Sequence, residues 1–103
     1  MTLIVLLISI NTLLDMSNRL DLALQKPSTL TQQEYQYIRE GLIVSKSSEG
    51  GLEGEKINAV VTLNLLVLDF LKEYTETNDN QYYREAVRYK IYADDLLHTI
   101  TKK

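Results

Sequence analysis

Residues 57–74 read INAVVTLNLLVLDFLKEY, and as a helix this stretch is apolar around most of its circumference. At about 100° per residue, its aliphatic and aromatic side chains cover roughly 260° of a helical wheel. The polar strip is narrow and contains Asn58, Thr62, Asp69 and Glu73. A helix at a protein surface needs one apolar stripe, whereas this helix needs neighbours on several sides. The stretch therefore predicts the central helix of an all-α bundle.

Three further helices are expected around this one. The spacing of apolar residues predicts helices over residues 3–25, 31–46, 55–77 and 80–101. Pro27 ends the first helix, because the residue before a proline is driven away from helical angles. Only four glycines and one proline occur in 103 residues, which favours long elements over a turn-rich β fold. We predict a single-domain antiparallel four-helix bundle in which the second helix is the shortest.

Local signals mark the ends of these helices. Thr31 and Glu34 have the spacing of a capping box, and Leu30 and Tyr35 have that of a hydrophobic staple. Residues 47–54 contain three of the four glycines and are the strongest loop candidate. The apolar face predicted for the second helix consists of Tyr35, Ile38, Leu42 and Val44. The stripe predicted for the fourth helix consists of Tyr82, Ala86, Tyr89, Ala93, Leu96 and Ile100.

Composition excludes several classes of protein. The net charge is −3 and is spread evenly, so the sequence offers no concentrated positive face for a nucleic acid. Cysteine is absent, which excludes disulfides and thiolate chemistry and suits a cytoplasmic location. Residues 1–14 are apolar, but the first basic residue is Arg19 and no small-residue cleavage site follows. The run is too short to span a bilayer, so we expect a structural helix and no stable membrane insertion.

No catalytic, cofactor-binding or metal-binding pattern is recognisable. His98 follows Asp94 by four residues, but two ligands on one helix face are fewer than a closed metal site needs. Asp94 and Asp95 point about 100° apart on a helix and cannot work as a pair. Residues 50–56 echo a phosphate-binding loop but lack its spacing and its preceding strand. We therefore expect no enzyme, no cofactor and no metal.

Two kinds of residue remain as candidates for specificity. Asn64 lies within the apolar arc of the third helix, where we expect a buried amide that hydrogen-bonds to a neighbouring helix and fixes register. Tyrosine and arginine are favoured at protein–protein hot spots, and apolar residues near the N-terminus exceed what one core needs. The expected partner-binding residues are Ile4, Val5, Ile8, Tyr83, Arg84, Arg88 and Tyr92.

The leading hypothesis is a small non-enzymatic protein-interaction module that acts as a homodimer. Its role would be that of an adaptor, a chaperone-like cofactor or a stoichiometric inhibitor of a larger protein. A membrane-associated or immunity-type bundle that uses its apolar N-terminal tip is one alternative. A nucleic-acid-binding module that uses Arg84, Arg88, Lys90 and the nearby tyrosines is another, with Arg88 and Tyr92 spaced for a cation–π pair. The absence of Lys and Arg before Arg19 weighs against the membrane alternative, and the negative net charge weighs against the nucleic-acid alternative.

Overall fold

The fold is an all-α bundle of four helices, as the sequence predicts. In this computed structural model the backbone of residues 2–46 and 51–101 and the side chains of residues 10–46 and 51–101 are described. The helices are α1 (Thr2–Gln25), α2 (Gln32–Val44), α3 (Gly51–Thr77) and α4 (Asn80–Thr101), and a 3-10 turn (Pro27–Thr29) precedes α2. The molecule measures 44 × 24 × 19 Å, and α2 is the shortest helix.

Helix α3 is the centre of the bundle. Its longest interface is with the antiparallel α4, while α1 and α2 pack against its other side. The buried side of α3 consists of Gly54, Ile57, Val60, Val61, Asn64, Val67, Leu68 and Leu71. These positions span somewhat less than half of the helical circumference, so part of the wide apolar arc of α3 is not covered by the three other helices.

The buried stripe of α4 is rotated relative to the prediction. Ala86, Ala93 and Ile100 are buried as expected, but Lys90 and Leu97 complete the stripe. The predicted members Tyr82, Tyr89 and Leu96 are only partly buried. The reason is that α4 packs against α1 as well as α3, so the middle of its buried face lies between these two neighbours.

Helix α2 is capped at its N-terminus by half of the predicted capping box. The Glu34 N–H donates to Thr31 Oγ1 at 3.1 Å. The Glu34 carboxylate does not accept from the Thr31 N–H, because both of its oxygens accept from Arg19 Nη1 of α1, at 3.1 and 3.3 Å. This ion pair raises the pKa of Arg19, chiefly through the hydrogen bond to Glu34. A tertiary contact has therefore replaced a local one.

Close packing between α1 and α2 depends on a glycine. A Cβ atom at Gly41 would lie 2.3 Å from Met16 Sδ and 2.7 Å from Met16 Cγ. Gly41 therefore admits the thioether of Met16, which is 2 % exposed. Val44, predicted to face the core, is instead 72 % exposed, and Ser45 is buried with its hydroxyl donating to the Gly41 carbonyl at 2.7 Å.

Helix α3 begins four residues earlier than predicted. Residues 51–54 belong to α3 rather than to a loop, whereas residues 47–50 lie outside the described part of the chain. Gly51 begins the helix with a φ of 91°, an angle that glycine adopts without strain. Gly54 is buried, so the absence of a side chain there permits close packing.

The turn between α3 and α4 forms as the sequence predicts. Asn78 has a φ of 59°, the left-handed conformation that often ends a helix and that asparagine tolerates. The Gln81 N–H donates to Asp79 Oδ1 at 3.0 Å, which caps the first turn of α4. This short connection makes α3 and α4 an antiparallel hairpin.

Candidate interaction surface

One edge of the α3/α4 hairpin carries partly exposed apolar side chains along most of its length. We call this surface the aromatic face, and it consists of Ala59, Leu63, Leu66 and Phe70 on α3 and Tyr82, Tyr89, Tyr92 and Leu96 on α4. Leu66 is 38 % exposed and Tyr92 is 51 % exposed, and the other members are partly buried. The α3 members are separated by four, three and four residues, which is the spacing of a helix seam.

Ring contacts join the aromatic members of this face into one cluster. Phe70 stacks on Tyr89, with centroids 5.7 Å apart and planes inclined by 4°, and it also contacts Tyr82 at 6.5 Å. Tyr89 contacts Tyr92 edge-on at 6.2 Å. The Arg88 guanidinium lies 5.1 Å from the centroid of Tyr89, not over Tyr92 as the sequence suggested. The rings hold one another in place, so the face is preorganised.

The aromatic face points away from the contacts that α3 and α4 make with the other helices. On α3, Asp69 accepts a hydrogen bond from Tyr35 of α2 at 3.0 Å. On α4, the Tyr83 hydroxyl donates to the Leu24 carbonyl of α1 at 2.7 Å. These residues mark the edges of the hairpin that α2 and α1 cover. The aromatic face lies on the opposite edge of the hairpin.

The ring contacts also fix which residues of α3 and α4 lie at the same height. Tyr74 packs on Tyr83 at 5.2 Å, so the neighbouring residues Glu73 and Arg84 lie within about two residues of one height at one end of the face. The helices are antiparallel, so a step towards the N-terminus of α3 matches an equal step towards the C-terminus of α4. Starting from Phe70 and Tyr89, a step of seven residues pairs Leu63 with Leu96. By the same counting, Leu66 lies within one residue of the height of Tyr92.

Charged residues flank the aromatic face at its end nearest the α3–α4 turn, with Glu73 on α3 and two arginines on α4, one of which pairs with Glu85. Glu73 extends the α3 stripe, seven residues after Leu66, and is exposed. Arg84 and Arg88 extend the α4 stripe, at steps of four residues before Tyr92, and are also exposed. Arg88 donates to Glu85 at 2.6 Å, which raises its pKa. In the described part of the chain, neither Glu73 nor Arg84 has a side-chain ion pair.

The predicted partner-binding residues are divided among three places. Arg84, Arg88 and Tyr92 lie on or beside the aromatic face. Tyr83 faces α1 instead, where its hydroxyl and ring are used within the bundle. Ile4, Val5 and Ile8 belong to the first turns of α1, and their side chains lie outside the described residues. The predicted set contains charged and polar residues near the face but not Leu66 or Phe70, because the sequence pattern assigned these two residues to the core.

A buried ion cluster between α1 and α4 was not predicted. The side chain of Lys90 is only 4 % exposed, and its ammonium lies 3.1 Å from an Asp21 oxygen and in direct contact with Asp94. It also donates to Ser17 Oγ at 2.9 Å, and that hydroxyl lies 3.3 Å from Asp94. Spacing alone could have suggested the pair of Lys90 and Asp94 on one helix face. Only the tertiary fold adds Ser17 and Asp21.

This cluster corrects two functional readings. The Lys90 side chain is buried, so it does not form a basic surface patch for nucleic acid with Arg84 and Arg88. The proximity of Ser17 and Lys90 resembles a nucleophile with an amine base, but Ser17 is 3 % exposed and the ammonium is paired with two carboxylates. A substrate has no access to the hydroxyl. The arrangement is an ion cluster that links α1 and α4.

Asn64 is fully buried, as the sequence predicts, but it does not make the expected interhelical bond. Neither its amide nitrogen nor its amide oxygen has a hydrogen-bond partner among the described residues. A buried amide without a partner lowers stability.

Apolar side chains are also exposed elsewhere, in smaller groups. Tyr37 and Val44 of α2 border a groove of about 590 Å³ against α1, with Met16 and Gly41 in its floor. Leu22 on α1 is 62 % exposed. Single exposed apolar residues are common on protein surfaces. The aromatic face differs because its members are contiguous along two helices.

The described residues contain no group of three or more His, Asp or Glu side chains placed to share a metal ion. His98 is exposed, and Asp94 pairs with Lys90 rather than with it. Among the helices in the described part of the chain, none combines the length and hydropathy that crossing a bilayer requires. Comparisons with known protein families, curated proteins and solved structures give no match to this chain.

Proposed function

We propose that this protein is a small, non-enzymatic, cytoplasmic protein-interaction module that acts as a homodimer. The observation that supports it is the aromatic face, an apolar surface that the three other helices leave open on the central helix. Ala59 to Phe70 spans about 17 Å along α3, and two adjacent helices are roughly 20 Å wide, so the face covers on the order of 300 Å². Patches of this size on monomers are often functional.

The composition of the face fits protein recognition better than the alternatives. Tyrosine and arginine supply large contact areas and directed hydrogen bonds, and both are enriched at interface hot spots. A membrane-binding helix would carry several basic residues beside its apolar side. Here Arg88 is already paired with Glu85, and acidic Glu73 lies across the face. As a dimer, the module would serve as an adaptor, a chaperone-like cofactor or a stoichiometric inhibitor.

Sedimentation velocity at protein concentrations from about 1 to about 100 µM tests the proposal, because this range detects dimers with dissociation constants in the micromolar range. We expect a concentration-dependent dimer for the native chain and a monomer for Leu66→Asp and Tyr92→Asp. Leu22→Asp is the control, since it places the same charge on an exposed apolar position outside the face. A native chain that stays monomeric throughout would refute the dimer. Loss of the dimer in the Leu22 variant alone would place the interface on α1.

A further inference from the structure

The aromatic face has features that specify how a second copy would lie on it. Its apolar residues pair by height across the hairpin, with Leu63 level with Leu96 and Phe70 level with Tyr89. Its end nearest the α3–α4 turn has an acid on α3 and a base on α4, Glu73 and Arg84, which lie within about two residues of one height. The residues that α3 contributes to the face therefore complement those of α4 in size and charge, and would not complement those of a second α3.

We propose that two copies pair through the aromatic face about a two-fold axis parallel to α3 and α4, with α3 of each copy on α4 of the other. This inference rests on the proposed homodimer and adds its geometry. Rotation about such an axis keeps every residue at its own height and exchanges the two helices. Leu66 then lies against Tyr92 of the second copy, and Leu63 against Leu96.

The same rotation brings Glu73 of each copy to Arg84 of the other. Both side chains are exposed, and neither has an ion pair within the described part of its own chain. The symmetry forms this intermolecular pair twice. A two-fold axis perpendicular to the helices would instead stack α3 on α3, and would send Glu73 towards the Ala59 end of the second copy. That arrangement would not use the unpaired Arg84.

The experiment uses the singly substituted chains Glu73→Arg and Arg84→Glu. Alone, each variant would face itself with two like-charged contacts, and its dimerisation should weaken about tenfold relative to the native chain. Mixed together, they restore opposite charges at both contacts, since positions 73 and 84 are both basic in the first variant and both acidic in the second. Native mass spectrometry resolves the three dimers because the two variants differ in mass. We expect the mixed dimer to exceed clearly the half that random pairing gives.

The control pair, Glu40→Arg and Lys46→Glu, makes the same kinds of charge change at exposed positions in and just after α2. It should dimerise like the native chain and mix at random. Random mixing of the Glu73 and Arg84 variants, with the native dimer intact, overturns this geometry but leaves the proposed function standing. A monomeric native chain overturns both.

Disulfide cross-linking gives an independent measurement, because the native chain has no cysteine. Mild oxidation of a mixture of Leu66→Cys and Tyr92→Cys chains should yield mainly the mixed disulfide dimer. Efficient cross-linking of Leu66→Cys with itself would indicate an axis across the helices and refute the parallel one. Circular dichroism of each variant checks that the helices are retained.

Discussion

Replacing both Asp21 and Asp94 by asparagine should destabilise the protein by about 2 to 3 kcal/mol. The substitutions remove the two counter-charges of Lys90 and leave the side chains close to their original size. With only 4 % of its side chain exposed, Lys90 would be left largely buried beside two neutral amides. The hydroxyl of Ser17 remains as a hydrogen-bond acceptor, but it supplies no negative charge.

The magnitude follows from the geometry of the cluster. At 3.1 Å and an effective dielectric constant of about 20, one ion pair gains roughly 5 kcal/mol before desolvation. Breaking a fully buried pair costs about 3 to 5 kcal/mol, because the remaining charge stays buried. Asp21 and Asp94 are 43 % and 45 % exposed, so water screens the cluster and the cost falls below that range. Each single substitution leaves one carboxylate and should cost about 1 kcal/mol.

Urea unfolding followed by circular dichroism, at one fixed protein concentration, measures these effects. Lys90→Met should change stability by less than about 1 kcal/mol, since an apolar side chain often replaces a buried ion pair without loss. Adding it to the double variant should recover most of the lost stability. Asp95→Asn is the control, because Asp95 is exposed. A double variant within about 0.5 kcal/mol of the native chain, or no recovery by methionine, would refute the reasoning.

Three other substitutions test the packing and electrostatics of the bundle. Gly41→Ala should destabilise by about 1 to 2 kcal/mol through its clash with Met16, yet stabilise by about 1 kcal/mol in a Met16→Ala background, which paired urea curves will show. Asn64→Leu should stabilise by about 1 to 3 kcal/mol because it removes a buried amide that lacks partners among the described residues; a lower melting temperature would contradict this. Burial, together with the hydrogen bond to Asp69, raises the pKa of Tyr35 above its ordinary 10.0. The stability that this raised pKa contributes is complete below pH 10 and is lost as the pH rises through the pKa of Tyr35 in the folded protein. The difference between the ultraviolet titration curves of the native and Tyr35→Phe chains should therefore show that Tyr35 ionises above its ordinary pKa.

Local chemistry determined the architecture of this protein. The apolar circumference of residues 57–74, the Thr31 cap and the turn around Asn78 each follow from neighbouring residues, and all three form as predicted. Helix periodicity, capping and left-handed turns involve residues only a few positions apart, so a sequence specifies them directly. The class of fold and the order of its helices follow from these signals.

Only the tertiary structure decided which side of each helix is covered. Tyr89 of α4 has the spacing of a core residue, yet it stacks on Phe70 at the open edge of the hairpin. The reason is that α1 packs against the side of α4 that carries Lys90, so the buried side of α4 is centred near Lys90. That rotation both buries a lysine and exposes an aromatic face. It depends on how four helices share the space around α3, through contacts between residues far apart in the chain, such as Ser17 and Lys90. Periodicity within one helix does not contain that information.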